Sequence, residues 1–104
     1  MNRTEAREQA FKLLYSLEIQ KENEEEQINL YFESNEINDE KTKEYIKDVW
    51  AGVAKNKEEI TEKISSNLKT NWKLERISKI DIALLKLAIY EMLYKKIPFK
   101  VAIN

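Results

Sequence analysis

Arg3 and Arg7 are the first residues whose type and spacing suggest chemistry. They stand one helical turn apart, in line with Phe11 and Leu14, so on a helix their guanidinium groups flank an apolar face. Cations in a first turn oppose the helix dipole, at a cost of a few tenths of a kcal/mol each. Such a penalty can mark a functional charge, and equally the pair can be ordinary surface arginines. Most catalytic chemistry is excluded by what the chain lacks. With no Cys and no His there is no thiolate zinc site, disulfide framework or His-activated nucleophile. A single Gly rules out a phosphate-cradling loop. These absences point to a binding protein rather than an enzyme, with no cofactor.

Charge is unevenly placed along the 104 residues, whose net charge is only −1. Residues 1–20 balance to zero, residues 21–48 carry a net −6, and residues 49–104 carry a net +5. The basic second half is compatible with phosphate binding, although Lys and Glu also simply solvate helix surfaces. A chain that is 42% hydrophobic and 36% charged, with one Gly and one Pro, reads as all-α. The longest apolar stretch, Ile80–Leu93, is interrupted by Asp81, Lys86 and Glu91, too many charges for a membrane span. The opening residues MNRTEAREQ carry no apolar run. A soluble, cytoplasmic protein is expected.

The elements that must position these side chains follow from apolar spacing. Asn2, with Glu5 three residues on, can cap a helix from about Arg3 to Glu18, buried along Ala6, Ala10, Leu13 and Leu17. Lys21–Gln27 reads as a loop or helix start, and Ile28, Tyr31 and Phe32 as a short amphipathic helix. Ser34–Asp39 is the clearest linker. A helix then begins near Asp39 or Glu40 with the stripe Tyr45, Ile46, Val49, Trp50 and Val53. Gly52 inside it costs about 1 kcal/mol relative to Ala, which a close helix–helix approach would explain. Ile60, Ile64 and Leu68 continue the pattern, either as one long helix or as two helices bent near Asn56. Ser78 and Asp81 can cap the next helix, about Lys79 to Lys95. Its core side is Ile80, Ala83, Leu84, Leu87 and Ala88. Ile82, Leu85, Ile89, Met92 and Leu93 make it apolar nearly all round, as a central helix is. Pro98 ends it or starts the next element, and Phe99, Val101, Ala102 and Ile103 begin another apolar pattern that stops at Asn104. The expectation is a fragment, or a chain whose missing apolar cover comes from a partner, with a homodimer or helix swap as one route.

Three segments resemble the NusB family of transcription antitermination factors. AREQAFKLLYSLEI (Ala6–Ile19) is similar to the family's opening helix. DVWAGVAKN (Asp48–Asn56) resembles its Gly-Val element. IDIALLKLAIYEMLYKKIPFKVAIN (Ile80–Asn104) resembles its most characteristic region, a Tyr-Glu helix, a Pro turn and then Lys-Val-Ala-Ile-Asn. The resemblance spans essentially the whole chain.

What it implies is an all-α, NusB-like bundle of two small helical subdomains, residues 1–70 and 71–104, the second lacking its last helices. It also implies an adaptor that binds boxA-type single-stranded RNA of ribosomal transcripts. The implied partners are NusE, a small-subunit ribosomal protein, and the elongation complex with other Nus factors. The family's arginine-rich first helix carries over to Arg3 and Arg7, with Thr4 and Glu5 where relatives commonly have further arginines. Lys69, Lys73 and Arg76, around Trp72, are the next RNA-binding candidates, and Tyr15 can either stack on a base or join the core. The acidic position facing the ribosomal-protein partner carries over to Asp81, which can also be a plain helix-start carboxylate. Glu91 reads as a structural residue satisfying a buried or turn donor. Where relatives often have Arg, this chain has Ile82 and Lys86. Two other readings stand beside the adaptor: the NusB-like RNA-binding module of an rRNA cytosine methyltransferase, and a structural helical oligomerisation domain.

Overall fold

Residues 2–66 and 77–95 are described by a computed structural model. Their regular structure is five helices: α1 (Arg3–Ile19), α2 (Glu24–Ser34), α3 (Glu40–Lys55), α4 (Lys57–Ser66) and α5 (Lys79–Tyr94). The fold is all-α, and no described helix is long and apolar enough to cross a membrane. Leu68, Trp72 and the apolar run Phe99–Ile103 lie outside the described residues, as does the subdomain boundary expected at residue 70.

The helix starts follow local chemistry. Asn2 caps α1 by accepting from the Glu5 amide at 2.8 Å, and its side-chain amide donates to the Glu5 carboxylate at 3.2 Å, so Glu5 reaches back to the side chain of the cap rather than to its backbone N–H. Asp39 caps α3 through the Lys41 amide at 3.3 Å, and Ser78 caps α5 through the Asp81 amide at 3.2 Å. Glu24, Glu25 and Glu26 occupy the first turn of α2, where carboxylates suit the positive end of the helix dipole. Three of the ten acidic residues in the acidic middle of the chain are placed in this way.

The segment Ser34–Asp39 connects α2 to α3, but it is more than a linker. Glu36 is left-handed, with φ 52°. The Ile37 amide donates to the Phe32 carbonyl at 2.8 Å and the Glu36 amide to the Glu33 carbonyl at 3.2 Å. This pattern is a Schellman cap, and it turns Ile37 into the core beside Phe32. A glutamate stands where glycine is usual, so the cap was invisible to a reading by residue type.

Asn56 settles the choice between one helix and two. Its backbone N–H and its side-chain amide both donate to the Gly52 carbonyl, at 3.1 and 2.8 Å, and α3 stops there. One turn earlier, Gly52 meets α5: a Cβ at this position would overlap the Tyr90 ring. The close approach inferred from the sequence is present, and Tyr90 is what approaches.

The core joins all five helices, through Leu13 and Leu17 of α1, Phe32 of α2, Ile46 and Val49 of α3, Ile60 of α4 and Leu87 of α5. Helix α5 packs on α1, α3 and α4. Ala83, Leu87 and Ala88 are buried as expected, but Ile80 is 48% exposed. It sits in the first turn of α5, where α1 ends at the exposed Ile19, and among the described residues no helix face covers it. Helices α1 and α5 run antiparallel, because Arg7 meets Glu91 at one end and Glu18 meets Lys86 at the other.

Two substitutions test the tight spots in opposite senses. Gly52→Ala, although favourable to an isolated helix, is expected to destabilise by about 2 kcal/mol through overpacking on Tyr90. Glu36→Gly is expected to stabilise by about 1 kcal/mol by relieving the left-handed backbone. Urea unfolding midpoints check both.

Candidate functional site

The N-terminal turns of α1 and α3 and the C-terminal turn of α5 enclose a groove of about 470 Å³. Arg3, Arg7, Lys41 and Lys95 line it, with Tyr45 and Glu91 in its wall. The bottom of the site is a carboxylate. Glu91 is buried, and the Arg7 Nε donates to both of its oxygens at 3.0 Å while Nη2 approaches Oε1 at 2.8 Å. The glutamate side chain is 6% exposed and the arginine 25%, so Arg7 keeps one edge toward the groove. A fork-shaped guanidinium suits this contact, since it can bind the carboxylate through two nitrogens at once.

Arg3 differs from its neighbour. It is exposed and pairs with no carboxylate among the described residues. The two arginines are therefore brought to one groove but not to one role. Arg7 is a structural cation that also lines the groove, and its partner Glu91 answers the charge that seemed to oppose the helix dipole. Glu91 serves as the structural acceptor that the sequence suggested.

The groove's far wall carries a second ion pair. Lys95 Nζ lies 2.8 Å from Asp48 Oδ2, to which the Tyr90 hydroxyl donates at 3.1 Å. Hydrogen bonding from Lys95, then from Tyr90, holds the Asp48 carboxyl below its usual range against a smaller opposing effect of burial. At the entrance to α3 the Thr42 hydroxyl donates to Asp39 at 2.7 Å and likewise lowers its pKa. The Tyr45 phenol is pushed up, chiefly by burial and then by the charge of Glu91, with Arg7 and Arg3 pulling the other way.

The remaining expected residues fall elsewhere. Tyr15 is half-buried against the core, about 12 Å further along α1 than Arg7. Asp81 is exposed at the start of α5, about 15 Å along that helix from Glu91. Lys69, Lys73 and Arg76 lie outside the described residues. Lys41, Tyr45 and Lys95 were not singled out from the sequence. They come from helices far apart in the chain, and neither spacing nor composition signals that they meet.

At the other end of the α1–α5 pair, Glu18 is buried and ion-paired with Lys86. Lys21 lies 3.7 Å from the same carboxylate and Lys79 donates to the Glu18 carbonyl at 3.0 Å. Lys86 thus has a definite charge partner. No group of His, Cys, Asp and Glu that could hold a metal ion occurs among the described residues.

Comparison with known proteins adds a family. The model of the NusB family matches residues 4–104. The chain is 55% identical to the transcription antitermination protein NusB of Acetivibrio thermocellus, in an alignment covering 100% of this chain and 71% of the relative. It is 44% identical to the protein of that name in Ruminiclostridium cellulolyticum, with the same coverage. It is also 44% identical to that of a Clostridium botulinum strain, covering 100% of this chain and 82% of the relative. No solved structure matches significantly.

Two predictions follow from the pairing. Arg7→Ala strands a buried carboxylate and is expected to cost about 2–3 kcal/mol, whereas Arg3→Ala stays within about 0.5 kcal/mol. Equal losses in urea unfolding would refute the division of roles. Because the Asp48 pKa is lowered on folding, its stabilising effect is full above the ordinary carboxylate range and is lost as pH falls through the lowered value. Asp48→Asn is therefore expected to flatten the decline of the thermal midpoint in acid.

Proposed function

The chain belongs to the NusB family, and from that premise we propose that it is a non-enzymatic adaptor binding boxA-type single-stranded RNA of ribosomal transcripts. The observation that carries this reading is the groove at the junction of α1, α3 and α5, where Arg3, Arg7, Lys41 and Lys95 converge from three helices. Two of the four cations, Arg3 and Lys41, have no ion pair with the described carboxylates, which favours a polyanion on this face. Arg7 lines the same groove while holding Glu91. The half-buried Tyr15 offers a stacking surface further along α1, and Lys69, Lys73 and Arg76 are proposed to extend the basic track.

The protein partner is proposed to be NusE, the small-subunit ribosomal protein, docking around Asp81. That carboxylate is exposed and well separated from the groove, so RNA and protein can be held together on one molecule. In the cytoplasm the ternary assembly would join the elongation complex with other Nus factors. A homodimer or helix swap competes for the exposed apolar side chains of α5, Ile80 and Leu93.

Fluorescence anisotropy of a labelled boxA-type RNA tests the proposal, with and without the ribosomal protein. Salt-sensitive binding strengthened by the partner is the expected result. Arg3→Ala and Lys41→Ala are each expected to reduce the slope of log affinity against log salt by about 0.7, the loss of one phosphate contact on a single strand. Asp81→Lys is expected to abolish the strengthening by the partner and leave binding to RNA alone intact. Absence of RNA binding under low salt would remove the proposal.

A further inference from the structure

On the RNA-binding reading above, which this step presupposes, we infer that the groove between α1, α3 and α5 receives one unstacked base of the bound strand. The base lies against the Tyr45 ring, with its flanking phosphates on Arg3 and Lys41.

Tyr45 stands apart from the other groove tyrosine and from those nearby. The Tyr31 hydroxyl donates to Gln9, that of Tyr90 to Asp48 at 3.1 Å and that of Tyr94 to Glu59 at 2.8 Å. The Tyr45 hydroxyl has no hydrogen-bond partner among the described residues, yet no buried side-chain oxygen or nitrogen there is left unsatisfied. The Tyr45 oxygen therefore opens onto the groove that the ring lines. A phenol in such a position has polar capacity to give to a ligand.

The surroundings suit a base better than a bare phosphate. Ala6 and Val49 supply apolar backing, and a volume of about 470 Å³ falls within the range of small-ligand pockets. Cations share the groove with the ring: Arg3, Arg7 and Lys41 line it beside Tyr45, with Glu91 in the wall. Glu91 is taken up by Arg7, and Lys95 by Asp48, which leaves Arg3 and Lys41 for phosphates. An aromatic wall together with cations in one groove is an arrangement by which proteins hold splayed-out bases of single strands. Tyr15 also lacks a hydrogen-bond partner among the described residues, but it does not line this groove.

Photocrosslinking of the unaltered chain tests the assignment. A boxA-type RNA is made with 5-iodouridine at each uridine in turn, irradiated in complex, and the attached tyrosine is identified by mass spectrometry. Crosslinking at Tyr45 from one position of the strand is expected. In parallel titrations Tyr45→Leu is expected to weaken binding roughly tenfold, and Tyr45→Phe by no more than about twofold, since the ring supplies most of the stacking. Thermal melts verify that each variant folds, and the crosslink map decides the matter if Tyr45→Leu does not. Crosslinks confined to Tyr15 or other residues, with Tyr45→Leu binding as the parent does, would overturn the assignment and leave the RNA-binding reading standing. Failure of the unaltered chain to bind the RNA at all would overturn both.

Discussion

An ionised carboxylate enclosed in a protein interior is costly unless a cation or hydrogen-bond donors answer it, and in this chain Glu91 is answered by Arg7. The pair ties residues 84 positions apart, so it can form only when the first turns of α1 lie against the last turns of α5. Tyr90, the neighbour of Glu91, fits over Gly52 of α3 and hydrogen bonds Asp48. Two consecutive residues of α5 thus determine how both α1 and α3 approach it. The groove exists because these three helix ends are held at that junction.

The other end of the α1–α5 pair carries the same kind of contact with the signs exchanged. There the acid, Glu18, is on α1 and the base, Lys86, is on α5. Were α1 reversed against α5, Arg7 would be carried toward Lys86 and Glu18 toward Glu91, placing like charges in a poorly solvated interface. Hydrophobic packing of Leu13, Leu17 and Leu87 does not distinguish the two directions well, because it is non-directional. The two ion pairs do distinguish them. Their worth lies in orientation and register more than in net stability, since desolvation offsets much of the attraction between buried charges.

This use of charge separates the basic residues of the groove into two kinds. Arg7 and Lys95 are committed to carboxylates and shape the walls. Arg3 and Lys41 stand at the rim of the same groove without such partners among the described residues. Long-range attraction for an anionic strand depends on the sum of these charges, while the local grip depends on those that are free to rearrange. The acidic residues of α2 do not interfere at the groove itself. Glu24, Glu25 and Glu26 sit in the first turn of α2, where Glu24 also accepts from the Trp50 indole at 3.1 Å.

Local order in this protein was legible from the residues alone. Asn2, Asp39 and Ser78 announce helix starts, and 3–4-residue apolar spacing finds the buried stripes of α1, α3 and α4, because capping and amphipathicity act over a few residues. A close contact at Gly52 was legible too, since glycine inside a helix needs a reason. Its partner was not, nor was the role of Ile37, whose turn is built on a left-handed glutamate. The candidate site was legible only in its α1 half. Arg3 and Arg7 share a helix, but Lys41, Tyr45 and Lys95 join them only by packing. Which arginine holds a carboxylate, and which has none among the described residues, was decided by tertiary structure alone, because it depends on where a carboxylate 84 residues away is buried, and no local pattern carries that distance.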